Sequence, residues 1–158
     1  MPRAARITLE NACYHIITRG NQKQLVFLDS HDYEKYLHIL TKYKKRYKFK
    51  LYCFCLMPNH THLIIEVDEP FKLKKIMQCL NLSYTLYFNS KYSKVGHLWQ
   101  DRFKSKIIQK DAYLLECINY IEANPLRASL TSTLNEYPWS SYIFRVTNNN
   151  LLDSLFSI

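Results

Sequence analysis

Residues 50–67 read Lys50-Leu51-Tyr52-Cys53-Phe54-Cys55-Leu56-Met57-Pro58-Asn59-His60-Thr61-His62-Leu63-Ile64-Ile65-Glu66-Val67. Both flanks, 50–57 and 60–67, have the aromatic and aliphatic content of strands, and the Met57-Pro58-Asn59 break is too short for anything but an antiparallel hairpin. Upstream, residues 12–18 (Ala-Cys-Tyr-His-Ile-Ile-Thr) form a strand that stops at the turn Arg19-Gly20-Asn21. Asp29 or Ser30 caps a helix with apolar positions at Tyr33, Tyr36, Leu37, Leu40, Tyr43 and Tyr47, running to about residue 48. Downstream, a helical stripe runs from Phe71 to about Asn89 through Leu73, Ile76, Met77, Leu80, Tyr84, Tyr87 and Phe88. Arg102 to Gln109 is a strand, Asp111 caps a last long helix, and Pro125 fixes the end of that helix. The order strand, helix, strand, strand, helix, strand, helix predicts an α+β, ferredoxin-like split βαββαβ sheet with helices, plus an additional C-terminal helix.

At 158 residues the chain is long enough for one self-sufficient core. No linker, repeat or low-complexity block divides it. One domain is expected over residues 1–147, followed by a weakly patterned tail, 148–158. Twenty-two Lys and Arg against 13 Asp and Glu give a net charge of +9, which points to a polyanionic partner, nucleic acid first. Lys42, Lys44, Lys45 and Arg46 lie on the polar face of the first helix, either as a solvated surface or along a phosphate backbone. The five cysteines, Cys13, Cys53, Cys55, Cys79 and Cys117, are odd in number and never spaced as Cys-x-x-Cys, which argues against a disulfide framework or a zinc ribbon. No apolar run approaches the ~20 residues that span a bilayer, and Met1-Pro-Arg-Ala-Ala-Arg6 leads into no signal-peptide core, so a cytoplasmic protein is expected. With glycine only at positions 20 and 96, there is no phosphate-cradling glycine loop and no dinucleotide fingerprint.

Two constellations carry chemistry. His60 and His62 alternate on one strand face, about 6 to 7 Å apart at the backbone, close enough to share one metal; a pair of surface or cross-strand histidines has the same spacing. On the partner strand, one hairpin register sets Cys55 opposite His62 as a Cys and His zinc site, whereas a one-residue slip sends both Cys53 and Cys55 to the other face. Tyr120 and Asn124 lie four apart near the end of the last helix, about 5 to 6 Å from each other, placed for a nucleophile and a ligand. Composition alone does not single out Tyr120 among thirteen tyrosines.

Four ordered stretches, Tyr14-His15-Ile16-Ile17-Thr18-Arg19-Gly20-Asn21, Leu56-Met57-Pro58-Asn59-His60-Thr61-His62-Leu63, Gly96-His97-Leu98-Trp99-Gln100-Asp101-Arg102-Phe103 and Tyr120-Ile121-Glu122-Ala123-Asn124-Pro125, together resemble the single-tyrosine transposases of the HUH endonuclease superfamily. The branch most resembled is that of the REP-associated tyrosine transposases, whose pattern Tyr137-Pro138-Trp139-Ser140-Ser141-Tyr142 also fits. The resemblance implies that His60, His62 and Asn124 hold Mg²⁺ or Mn²⁺ and that Tyr120, on the additional helix, attacks single-stranded or hairpin DNA. It also implies cleavage and rejoining through a 5′-phosphotyrosine. Asn124 stands where the insertion-sequence branch usually has glutamine, and polar Thr61 stands where the motif usually has a bulky apolar residue, on the face opposite the ligands. Arg19, Trp99, Arg102 and Lys104 are the candidate strand contacts, a stacking platform beside positive charge, although Trp99 also suits a core anchor. Two rivals remain at this level, a hairpin-binding protein that never cuts and a hydrolase that uses a metal-bound water. Monomer and homodimer are both open.

Overall fold

The computed structural model describes residues 11–147 and 149–153. Along the chain come β1 (Ala12–Arg19), α1 (Ser30–Tyr47), β2 (Lys50–Met57), β3 (His60–Val67), α2 (Pro70–Tyr92), β4 (Lys104–Ile108), α3 (Ala112–Glu122), α4 (Asn124–Arg127) and α5 (Ser141–Val146). The four strands form one sheet in the order β2-β3-β1-β4 with every neighbour antiparallel, the split βαββαβ arrangement expected from the sequence. The hairpin closes with Met57 opposite His60, so its turn is as tight as the Pro58-Asn59 step requires. Asp29 caps α1 by accepting from the Asp32 backbone N–H at 3.0 Å, and Asp111 caps α3 by accepting from Tyr113 N–H at 2.8 Å. Pro125 does not stop the chain from coiling. α3 ends at Glu122, and Pro125 falls in the first turn of the separate α4, where its missing N–H costs nothing. Of the segment set apart as a tail, residues 149–153 are described; residues 148 and 154–158, like 1–10, lie outside the described residues.

Because β2 is buried along Leu51–Met57, both faces of the sheet need cover. On one face α1 and α2 pack Tyr36, Leu40, Met77, Leu80, Tyr84 and Phe88 against Tyr14, Ile16, Phe54, Leu63 and Ile65 of the strands. The other face carries Cys13, Cys53, Cys55, Met57, Ile64 and Ile108 and is covered by Leu114, Ile118 and Ile121 of α3 with Tyr137. No helix of the described residues is long and apolar enough to cross a membrane.

The two helices of the first face are joined at their ends by a buried carboxylate. Asp32 is fully buried and accepts from Leu28 N–H at 2.8 Å, Tyr87 Oη at 2.8 Å, Tyr92 Oη at 2.6 Å and Lys91 Nζ at 2.9 Å. Burial pushes this carboxyl up, but the bonds from Tyr92, Lys91, Leu28 and Tyr87 outweigh it and leave the group below its ordinary value. A carboxylate whose folded pKa is depressed stabilises the fold above its unfolded pKa, and that stability is lost as pH falls through the folded one. Urea unfolding of Asp32→Ala should therefore show a loss of about 3 kcal/mol at neutral pH, because Lys91 and three other donors lose a buried acceptor. The deficit should begin to shrink as pH falls below about 4, where the carboxyl of the unfolded chain takes up its proton, and should go on shrinking as pH passes through the lower folded value.

Candidate active site

Register and alternation decide what meets on the α3 face. Arg19 pairs with His60, Ile17 with His62 and His15 with Ile64, so Arg19, His15, His60 and His62 all project to the same side. The two histidines of β3 have ring centroids 5.0 Å apart, edge to face. His15, from β1, stacks on His62 at 5.2 Å, and its Nε2 lies 3.0 Å from His62 Nδ1. Asn59 Oδ1 lies 2.6 Å from His60 Nδ1, so a proton on Nδ1 donates there and leaves the Nε2 lone pair exposed. Thr61, between them, is buried on the opposite face.

Burial holds both imidazoles in their neutral form. It pushes the His60 pKa down to about 4, helped by the positive charge of Arg19. For His62 the value falls to about 3, through burial first and then the repulsion of His60, His15, Arg19 and Arg127. Neutral imidazoles keep their lone pairs at physiological pH, the form that ligates metal. The zinc alternative meets the register it needed, since Cys55 does pair with His62. Cys55 is nonetheless fully buried in the apolar layer under α3, and burial with the nearby Glu122 pushes its thiol up to about 12, so it stays protonated. Among the described residues no group of three or more His, Cys, Asp or Glu is arranged to hold a metal ion. A divalent ion at His60 and His62 would therefore need to draw its further ligands from amide or solvent oxygen.

The joint between α3 and α4 places the other two candidates. Tyr120, in the last turn of α3, is 61% exposed, and its ring lines a cleft of about 330 Å³ together with His15, Lys106, Ile108 and Cys117. The phenol thus shares a cleft with the histidine that is bonded to His62. Asn124 opens α4, and Arg127 Nη2 bridges Asn124 Oδ1 and the Tyr120 carbonyl, the latter at 2.6 Å. Between Tyr120 and Asn124, Glu122 points the other way into the protein. It is 4% exposed and accepts from Ser141 Oγ and Arg145 Nη2, both at 2.7 Å. Ser141 Oγ also accepts from Phe54 N–H at 3.0 Å, and Arg145 donates to the Tyr52 carbonyl at 2.8 Å, so the tyrosine-bearing joint is tied to β2 through α5.

Of the four candidate strand contacts, Arg19 stands exposed beside His60 and Lys104 is exposed on the same sheet face, opposite Ile17. Trp99 is only 9% exposed, packs 6.0 Å from Tyr84 on the other face and donates its Nε1–H to the Asn81 carbonyl, which makes it a core anchor. Arg102 is exposed on the rim of the cleft that Trp99 borders with α2. Reading by sequence missed His15, Lys106, Glu122 and Arg127. Strand alternation could have put His15 on the face of Arg19, but only the pairing of β1 with β3 brings it to His62. Arg127 lay beyond a proline taken as the end of the helix.

Compared with known families, residues 8–124 match the family described as IS200-like transposase. A Haemophilus influenzae protein named as a REP-associated tyrosine transposase is 26% identical over 111 residues, 62% of this chain and 61% of that one. The chain thus matches about three fifths of the length of that curated relative. Among solved structures, that of a REP-associated tyrosine transposase bound to a REP hairpin aligns with a TM-score of 0.75 over 100% of this chain and 95% of the other, at 16% identity. A crystal structure described as that of a transposase from Deinococcus radiodurans aligns at 0.52 over 77% of this chain and 95% of its own, at 17% identity. A bacterial tRNA(His) guanylyltransferase-like protein in complex with GTP aligns at 0.50, with 84% and 73% coverage and 12% identity. At these identities the structural likenesses show the fold, and the last of them carries it under a different enzyme name, so activity has to be argued from the site.

The Glu122 tie has a measurable worth. Glu122→Ala should lower stability by about 2 kcal/mol, less than a wholly buried ion pair because Arg145 is partly exposed. It should also speed hydrogen exchange of the amides from Asn119 to Glu122 more than those of α1, as read by mass spectrometry.

Proposed function

The chain belongs to the IS200-like transposase family, and from that premise we propose that it cleaves and rejoins single-stranded, hairpin-bearing DNA with Tyr120 as nucleophile. The observation that carries this reading is the convergence on one sheet face of two neutral imidazoles, His60 and His62, with an exposed phenol that shares a cleft with their neighbour His15. The REP hairpin bound by the structural relative supports a hairpin as the form of the substrate.

His60, His62 and Asn124 fit a hard or borderline divalent ion, Mg²⁺ or Mn²⁺: two neutral imidazoles and an amide, with Asn59 orienting one ring and His15 the other. When bound, such an ion would withdraw charge from a phosphate oxygen and make the phosphorus easier to attack. The protein's own part is positional. Tyr120 is held at the mouth of the cleft, and its exposure lets the phenolic proton pass to water as the oxygen attacks phosphorus. The new Tyr120 O–P bond forms as the P–O3′ bond breaks, the departing 3′-oxygen takes a proton from water, and a 5′-phosphotyrosine and a free 3′-hydroxyl result. The ester is conserved on the protein, so attack by a 3′-hydroxyl reverses the step without ATP. That economy agrees with a chain lacking any glycine loop for nucleoside triphosphate.

Incubation with labelled single-stranded hairpin DNA and Mn²⁺ should give a protein–DNA adduct on a denaturing gel, absent in Tyr120→Phe and at least about 100-fold slower to form in His60→Ala and His62→Ala. Cleavage that survives in Tyr120→Phe would assign the attack to water, and binding without cleavage would make the protein a hairpin binder. Calorimetric titration of His15→Ala with Mn²⁺ should show affinity about 10- to 100-fold below wild type, the usual loss when the group orienting a ligand histidine is removed.

A further inference from the structure

The nucleophile has a cation on its ring that the metal-centred reading does not use. The Arg127 guanidinium carbon lies 3.8 Å from the centroid of the Tyr120 ring. Only Nη2 is engaged, by the Tyr120 carbonyl and Asn124 Oδ1, and Nε and Nη1 have no hydrogen-bond partner among the described residues. No carboxylate forms an ion pair with Arg127 among those residues, although Arg145, one element on, is paired with Glu122. Unpaired guanidinium N–H groups beside an exposed phenol, with the guanidinium plane fixed by stacking and by Nη2, form a site that lacks only acceptor oxygens carrying negative charge. A phosphodiester has that chemistry, and arginine forks match it.

We propose that Arg127 binds the phosphodiester that Tyr120 attacks, so that one side chain both orients the nucleophile and holds its target. The inference rests on Tyr120 being the nucleophile, but its contact with phosphate is measurable without any covalent step. During attack, the bonds that form and break are those already given for Tyr120. Arg127 stays protonated throughout and lends its charge to the oxygens of the five-coordinate phosphorus.

The test is the salt dependence of binding of a single-stranded oligothymidylate, measured by fluorescence anisotropy in the Tyr120→Phe background. With Arg127 intact, log affinity falls with log salt at a slope set by the number of phosphates neutralised; Arg127→Ala should make that slope shallower by about 0.7, one single-strand phosphate. Arg127→Lys, which keeps the charge, should keep the slope. Lys44→Ala should keep it too, since Lys44 is paired with Asp153 at 3.0 Å on the opposite layer of the molecule. An unchanged slope in Arg127→Ala, or an equal drop in Lys44→Ala, would overturn the proposal. Arg127→Gln guards against misfolding: it keeps a donor without the charge and should lose the same 0.7 or so while its thermal unfolding stays that of the parent. A slope that falls as expected while adduct formation survives in Tyr120→Phe would overturn the nucleophile and leave the phosphate contact standing. The reverse pattern would overturn the contact alone.

Discussion

A sheet strand buried on both sides obliges the chain to build two layers of cover, and β2 is such a strand. The helices α1 and α2, each long, cover one face completely. The other face is left to α3, which is only 11 residues long and reaches across the apolar end of the strands, over Cys13, Cys53 and Ile108. At the opposite end the same face carries His60 and His62 beside Arg19 and Lys104, and there the cover thins: His62 is still buried, whereas Arg19 and Lys104 are exposed. The candidate site lies at this thinly covered end, and the last turn of the short helix is its edge. Tyr120 stands where that helix meets solvent, exposed at 61% while Ile121 beside it is buried.

Backbone hydrogen bonds hold that edge in register. Gly20 N–H donates to the Asn59 carbonyl at 2.8 Å, and Val26 N–H to that of Pro58 at 2.8 Å, so the loop after β1 clasps the hairpin turn next to His60. The clasp explains the glycine: a Cβ at position 20 would lie 2.4 Å from the Gln24 carbonyl oxygen. Asn21 N–H reaches the Leu98 carbonyl and Gln100 N–H the Arg19 carbonyl, each at 2.8 Å, which seats the third sequence stretch beside the first two. Stretches far apart in the chain therefore converge through main-chain groups that have no other partners to choose.

What could be read from the sequence follows the range of the interaction responsible. The hairpin of β2 and β3 was legible because a three-residue break admits one topology, and the caps at Asp29 and Asp111 because capping is local. His60 and His62 share a face by strand alternation, which is equally local. Trp99 was ambiguous because its burial depends on a bridge to Gly20, 79 positions away in a chain whose loop lengths do not disclose it. Arg127 was illegible for a sharper reason. Proline in a helical stretch reads as a stop, yet Pro125 sits in the opening turn of α4, so the chain coils on and brings an arginine back over Tyr120. Family resemblance named Tyr120; spacing alone could not have chosen it from the other twelve.

The segment from Tyr137 to Asp153 closes the outer edge of β2. Leu51 N–H donates to the Asp153 carboxylate at 2.8 Å, Phe54 N–H to Ser141 Oγ at 3.0 Å and Leu56 N–H to the Trp139 carbonyl at 2.8 Å. An apolar strand with its edge donors bare would be a template for pairing with any extended chain nearby. At the far side of the sheet β4 is only five residues long and carries Lys104 and Lys106, which is deterrent enough. The two edges are thus guarded by different means, one by charge and the other by the protein's own polypeptide. Loss of the second guard would leave the N–H groups of Leu51, Phe54 and Leu56 open to the same strand of a second copy, so that the cost would fall on solubility.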